Sequence, residues 1–181
     1  MKIAVVGKMR SGKDTLAEYF LENDNVAKLA FGDEIKRVAS FYFPEIVRRG
    51  KPRKLYQMIG QMFREFDPNI WIKFLDARLI RLKDFGLDRN VVVSDVRQMN
   101  EYEYLKSRGF IVIKVHADDA LRRERIIKAG DVVNEEDFNH ETETIVDSIP
   151  CDFLIENNGT LDEFIKAIQA VHKDLEGEIS T

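Results

Sequence analysis

One cysteine in 181 residues rules out an internal disulfide, and a chain so built suits a reducing compartment. That residue, Cys151, lies just before an apolar run and reads as a small buried hydrophobe rather than a catalytic thiol. Long hydrophobic runs are missing too: no segment approaches the ~20 apolar residues of a membrane span. The opening stretch, Met1 to Gly7, lacks the apolar length of a secretory signal, so a cytoplasmic location is expected. There is no basic excess. A net charge of −4 argues against a protein that coats nucleic acid, but leaves room for a local cationic pocket. Repeats, low-complexity tracts and linkers are absent, and 44% hydrophobic residues suffice for one domain over residues 1–181. The histidines are few and scattered. A metal site built from His140, Glu141 and Glu143 is poorly supported, and His116 and His172 read as structural or surface residues.

What is present is a phosphate-binding loop. Residues 7–14 match G-x-x-x-x-G-K-[ST] at every fixed position but the last, where Asp14 stands in place of the hydroxyl. A buried-strand pattern at 3–6 precedes the loop and a helical pattern at 15–21 follows it, which is the context the motif requires. Gly7 and Gly12 let the backbone curl, with Lys8, Arg10 and Ser11 between them, and the new helix points its positive end at the same spot. Lys13 is placed to reach the outer phosphates as a point charge. A carboxylate at Asp14 is a hard oxygen ligand that suits Mg²⁺ directly or through water. Thr15, one residue on, points elsewhere on the helix unless the loop is shifted.

Strand and helix patterns alternate along the chain, as in a parallel α/β sheet. Five strands are expected at 3–6, 26–31, 91–94, 110–115 and 153–155. Helices are expected at 15–21, 33–42, 55–66, 70–85, 99–107, 117–128 and 161–171, the second stopping at Pro44. Asp33 and Asp118 are cap candidates, and residues 175–181 read as a frayed polar tail. The basic stretch 45–54 and the polar stretch 128–139 read as loops able to close over a substrate.

Several residues sit where chemistry is expected. The run 91–97 is an apolar strand ending in Ser94, Asp95, Val96 and Arg97. An acid beside a phosphate loop holds hydrated Mg²⁺, which nominates Asp95; its alternative is capping the helix that follows. Arg97 lies at the carboxyl edge of the sheet, where its fork suits a phosphate. Arg122 and Arg125 share a helix face and Arg123 lies on another; arginines there can follow charge onto a transferred group, or simply face solvent. Asp33, Lys36 and Arg37 open one helix, with Asp33 able to orient an attacking group. Gln57, Gln61 and Arg64 share a polar face, with Trp71 beyond as core or stacking residue, while Leu55, Met58, Ile59, Met62 and Phe63 form an apolar core stripe. Asn157, Asn158 and Gly159 form a turn after the last strand that suits adenine recognition.

Taken together these strings resemble the phage-type deoxynucleoside monophosphate kinases. The carriers are the aspartate-bearing loop at 7–15, the segments 31–36 and 53–71, the S-D-V-R-x-x-N-E run at 94–101, the H-x-[ST]-E element at 140–143 and the N-N-G-T ending at 157–160. The resemblance implies a three-layer α/β/α P-loop fold of the nucleoside-monophosphate-kinase kind with a five-stranded parallel sheet. It also implies an acceptor-binding helical insertion at 32–88 and a lid at 118–145. ATP and Mg²⁺ would lie over Gly7 to Thr15, with the metal at Asp14 and Asp95 and adenine near Asn157, Asn158 and Gly159. A nucleoside or deoxynucleoside monophosphate acceptor would meet Asp33, Lys36, Gln57, Gln61, Arg64, Trp71 and Arg97, with the lid arginines 122, 123 and 125 closing on the phosphates. Gly32 and Gln61 depart from the pattern, which usually has Ala and a small residue there. Two alternatives stay open: a kinase for phosphomevalonate or dephospho-coenzyme A on the same scaffold, and a nucleotide switch, although the N-K-x-D guanine motif is absent. Oligomeric state is open between monomer and homodimer.

Overall fold

The computed structural model of the chain describes residues 1–50, 52–86, 90–130, 135–138 and 141–179. Five short strands carry the apolar runs: β1 (Lys2–Gly7), β2 (Ala27–Leu29), β3 (Val91–Val96), β4 (Ile111–His116) and β5 (Phe153–Glu156). All pair in parallel in the order β2-β3-β1-β4-β5. Parallel pairing follows because each strand is followed by a helical crossover back to the same end of the sheet. The helices are α1 (Lys13–Asn23), α2 (Gly32–Tyr42), α3 (Pro44–Arg48), α4 (Arg53–Phe66), α5 (Ile70–Asp84), α6 (Met99–Ser107), α7 (Asp119–Lys128), α8 (Glu135–Phe138), α9 (Glu141–Ser148) and α10 (Leu161–Ile179). No helix among the described residues is long and apolar enough to cross a membrane.

Successive side chains of a strand face opposite ways, so the central strand β1 divides the core in two. Ile3 and Val5 join Leu16, Phe20, Ile113, Phe164 and Ile168 under α1 and α10. Ala4 and Val6 join Leu29, Trp71, Leu75, Val93, Leu105 and Val146 on the other face. The result is the expected three-layer α/β/α sandwich. β1 pairs with β3 in register from Lys2↔Val91 to Ala4↔Val93, then Val6 meets Val96. β3 therefore takes one extra step between Val93 and Val96, a bulge of the kind that re-aims a side chain. Ser94 and Asp95 occupy that step.

Several expectations change. β2 is shorter than 26–31, because the backbone N–H groups of Phe31 and Gly32 are taken by Asp95 instead of a neighbouring strand. Pro44 does end α2, but it also opens α3, where its missing N–H is one the first turn leaves unpaired in any case. The basic stretch 45–54 is thus largely helical, with residue 51 outside the described residues. The apolar stripe on α4 is only partly core: Ile59 is buried, whereas Met58 and Met62 are about half exposed at 55% and 46%. The tail is not frayed through its length, since α10 runs to Ile179 and Leu175 is fully buried. Leu175 lies on the face of Phe164 and Ile168, and burial of that face outweighs the polar composition around it. Residues 180–181, part of that tail, lie outside the described residues, as do 87 and 88 of the expected insertion.

Truncation at this position separates the two readings of the tail. Leu175→Ala should lower unfolding free energy in urea by about 2–5 kcal/mol, the range for a buried leucine. A change under about 0.5 kcal/mol, the level of a surface substitution, would mean that the end of α10 contributes no core.

Candidate active site

The loop between β1 and α1 lies at the carboxyl edge of the sheet, where ligands of open α/β folds bind. Its backbone is unusual. Arg10 has φ 63 and Gly12 has φ 109, both left-handed. At Gly12 even the room is missing, for an added Cβ would lie 2.4 Å from Asn157 Nδ2. At Gly7 it would lie 2.5 Å from Ser11 Oγ. Left-handed geometry at an arginine is costly and persists only where the surroundings hold it. They do so by grasping loop carbonyls. Arg122 Nη1 donates to Met9 O at 3.1 Å, Arg125 Nη1 to Arg10 O at 3.3 Å and Asn157 Nδ2 to Ser11 O at 2.7 Å. Arg125 Nη2 also donates to Asn157 O at 2.8 Å, closing a brace beneath the loop.

With its carbonyls turned into the protein, the loop is built to meet an anion. Among the described residues no side chain caps the N-terminus of α1, the end that favours negative charge. Lys13 is almost buried, and its Nζ lies 3.2 Å from Asp14 Oδ2. Asp14 itself is exposed, and Thr15 is half-buried on the same turn. Lys8 Nζ is held by Asp147 of α9 at 2.6 Å. Ser11 Oγ is buried without a hydrogen-bond partner among the described residues.

The end of β3 organises the second half of the site. Asp95 accepts the Phe31 N–H at 2.7 Å on one oxygen and the Gly32 N–H at 2.8 Å on the other. It therefore caps α2, across the sheet, and not α6, the helix that follows it in sequence. Gly32 has a reason as well: a Cβ there would sit 3.0 Å from Asp95 Oδ2, so the usual alanine would be tight. The cap of α6 is Gln98, in a reciprocal box with Glu101. Asp33 is not the cap of α2. Its Oδ2 accepts from Arg78 at 2.7 Å and from the Ala30 N–H at 3.2 Å, with Lys36 3.7 Å away. Asp118 holds the cap position of α7, but its carboxylate binds Asn158 Nδ2 at 3.1 Å and not the helix.

Glu101 joins the Arg64 side chain to the backbone N–H of Arg97. Arg64 Nη2 donates to it at 3.2 Å, and the Arg97 N–H donates at 2.9 Å. The Arg97 guanidinium reaches the other way, to Glu143 of α9. Asn100 stitches the same corner to the α4–α5 turn, donating to Pro68 O at 3.0 Å. Gln57 is half-buried and Gln61 faces solvent. Trp71 belongs to the core. It is 1% exposed, donates Nε1–H to Gly60 O at 3.1 Å and packs against Phe63 and Phe74. That burial leaves no open face for a base.

The three arginines of α7 divide. Arg122 and Arg125 hold the phosphate loop, as their shared face implies. Arg122 is 1% exposed and also donates to Asp119 at 2.7 Å. Arg123 turns to Glu135 of α8 and does not meet the loop. Both Arg122 and Arg123 lie over the Phe138 ring, each at 4.1 Å. Of the 128–139 loop and the 118–145 lid, residues 131–134 and 139 lie outside the described residues. His140 of the H-x-[ST]-E element also lies outside them. Helix α9, which supplies Glu143 and Asp147, has no counterpart among the helices expected from the sequence.

No cluster of three or more His, Cys, Asp or Glu that could hold a metal is present among the described residues. Asp14 is exposed and offers a hard oxygen donor of the kind Mg²⁺ takes alongside phosphate oxygens and water, whereas each oxygen of Asp95 already accepts a backbone N–H and has only its remaining lone pair to offer.

Glu101 makes this corner pH-sensitive. Burial pushes its carboxyl up to about 7, against the opposing pull of Arg64 and the Arg97 N–H. The folded chain then holds this proton more tightly than the unfolded one, so the stabilisation is complete below the ordinary carboxylate range. It is lost as pH rises through about 7. The stability of the protein relative to Glu101→Gln should therefore fall by roughly 3 kcal/mol between about pH 5 and pH 8. A constant difference across that range, followed by thermal unfolding, would show the group to be ionised throughout.

Comparison with known proteins agrees with this geometry. The family model described as deoxynucleotide monophosphate kinase matches residues 51–168, more than half of the chain. The uncharacterized protein ORF76 of Ictalurid herpesvirus 1 (strain Auburn) is 28% identical over 175 residues, covering 96% of this chain and 67% of that protein. A protein of Acanthamoeba polyphaga mimivirus, provisionally named a deoxynucleotide monophosphate kinase, is 26% identical over 193 residues, covering 92% of this chain and 93% of that one. Among solved structures, shikimate kinase from Aquifex aeolicus shares the fold with a TM-score of 0.54 at 19% identity, over 99% of this chain and 98% of the other. The family match begins beyond the phosphate loop and takes in α4, α5, the β3 edge and the α7 arginines, so loop and match are separate observations that agree: the chain belongs to the deoxynucleotide monophosphate kinase family and is a P-loop kinase.

Proposed function

We propose that the protein transfers the terminal phosphoryl group of ATP to a deoxynucleoside or nucleoside 5′-monophosphate, giving ADP and the diphosphate. One observation carries the reading: a single carboxylate, Glu143, accepts from the phosphate-loop Met9 N–H at 2.7 Å and from the guanidinium of Arg97. A cation suited to the acceptor phosphate is thereby tied to the loop suited to the donor. Family membership supports the acceptor class, and the braced loop supports the donor.

Phosphoryl transfer asks the protein for alignment and charge neutralisation more than for covalent chemistry. Lys13 and the N-terminus of α1 hold the donor phosphates and draw negative charge toward the bridging oxygen. Arg122, Arg125 and Asn157 keep the loop in its strained form, so no reorganisation is needed when charge develops. Asp14 and Asp95 would hold Mg²⁺, which supplies charge neutralisation on the phosphates when bound. Arg97 and Arg64, both anchored through Glu101, grip the acceptor phosphate. Asp33, fixed by Arg78 and 3.7 Å from Lys36, orients the acceptor, and Gln57 of α4 adds a polar contact to it. The backbone around Asn157, Asn158 and Gly159 borders the adenine side of the loop. Arg123 engages Glu135 and acts on the fold of α7 and α8.

The test is ADP release with ATP, Mg²⁺ and each nucleoside and deoxynucleoside monophosphate in turn. Rapid release with one or a few acceptors is expected and names the base; acceptor-independent slow hydrolysis would reject the reading. Lys13→Ala should lower kcat by about 10²–10³-fold, the usual cost of one electrostatic stabiliser, with the circular dichroism spectrum unchanged. Near-normal turnover in that variant would refute the mechanism.

A further inference from the structure

Glu143 is buried, with its side chain 5% exposed, and it pairs with groups far from it in sequence. One oxygen, Oε2, accepts the Met9 N–H of the phosphate loop at 2.7 Å and lies 3.5 Å from Arg122 Nη1. The other, Oε1, accepts from Arg97 Nη1. Arg122 Nη1 also donates to Met9 O at 3.1 Å, so Glu143 and Arg122 hold the two sides of residue 9. A second tie from the same helix runs from Asp147 Oδ2 to Lys8 Nζ at 2.6 Å. Helix α9 is thus strapped to the loop at two successive residues, and through Glu143 it reaches Arg97.

A buried carboxylate is expensive unless its lone pairs are filled, and here two guanidinium groups and a backbone N–H surround it. The arrangement does more than satisfy the charge. A guanidinium has five N–H donors in a rigid fork. The bond from Nη1 to Glu143 points that fork toward the phosphate loop, and Glu101 holds the backbone N–H of Arg97, anchoring the main chain from which the side chain extends. The orientation of Arg97 is therefore set relative to the phosphate loop.

We propose that Glu143 is a positioning residue for phosphoryl transfer: it orients Arg97 toward the acceptor phosphate and holds that orientation in register with the donor loop. The inference rests on the proposed kinase reading and adds to it a residue on α9 that acts through Arg97. Displacement of the acceptor phosphate by even about 1 Å is enough to slow such a reaction 10²-fold.

A double-mutant cycle tests it. Glu143→Gln, Arg97→Ala and the double variant are compared with the unaltered protein for kcat, acceptor KM, ATP-analogue affinity and Tm. Glu143→Gln should lower kcat by about tenfold or more and raise acceptor KM, with ATP-analogue affinity within about threefold of normal. The double variant should be no worse than Arg97→Ala by more than about threefold, because the two residues act as one unit. Losses that multiply would overturn the proposal, as would a Glu143→Gln variant whose activity falls only in proportion to its folded fraction. If Glu143→Gln does not fold, Glu143→Asp, which keeps the charge but shortens the reach, takes its place in the same cycle with the same outcomes. Failure of the underlying reading looks different: Arg97→Ala alone would then leave acceptor KM and kcat unchanged. Impaired Arg97→Ala beside a normal Glu143→Gln would sink the positioning role and leave the kinase reading standing.

Discussion

Everything at the carboxyl edge of the sheet depends on a backbone held against its own preference. Between Gly7 and Lys13 the chain adopts two left-handed residues, one of them an arginine. Such a loop would relax in a free peptide. It persists because Arg122, Arg125 and Asn157 arrive from α7 and from the end of β5 to take the carbonyls of residues 9, 10 and 11. The same loss of freedom that costs stability creates function. With its carbonyls turned inward, the loop meets an incoming anion with N–H groups, a lysine and the positive end of a helix.

A second organising theme is the buried carboxylate used as a junction. Asp95, Glu101 and Glu143 each accept at least one backbone N–H, and Glu101 and Glu143 each accept from an arginine of another element. Each brings two or more segments to a common point: β3 to the start of α2, α6 to α4, and α9 to the phosphate loop. Partly satisfied, such a network would be a liability; filled from several sides, it fixes distances between cationic groups to a degree that apolar packing does not. Charge balance matters as well. A pocket lined only with Lys13, Arg64, Arg97 and Arg122 would repel itself, and the interspersed acids relieve that repulsion.

The parts legible in the sequence were those with a local signature. Gly7, Gly12 and Lys13 announce the loop through spacing alone, and β1, β3 and β4 announce themselves through β-branched runs. Trp71 was legible as a core residue with stacking as its alternative, and Gln61 as a base reader or a solvent-facing amide; the structure decides for core and for solvent, because one stripe on a helix does not tell which side faces a neighbour. Leu175 was hidden by polar residues around it, although its spacing from Phe164 and Ile168 carried the signal. The spacing of Gln98 and Glu101 carried the capping box that opens α6. Glu143 carried no local signal for its role, for Arg122, Arg97 and Met9 lie 21, 46 and 134 residues away from it.

By itself, then, the sequence determined the alternation of strand and helix, the phosphate loop and the acid at the end of β3, since each depends on neighbours within a few residues. Which arginine serves which purpose was decided only by tertiary structure. Arg122, Arg123 and Arg125 are nearly equivalent as text, yet one is buried against the Met9 carbonyl, one pairs with Glu135 and one braces residues 10 and 157. A guanidinium takes its role from the acceptors it meets, and those acceptors come from elements that only the folded sheet brings together.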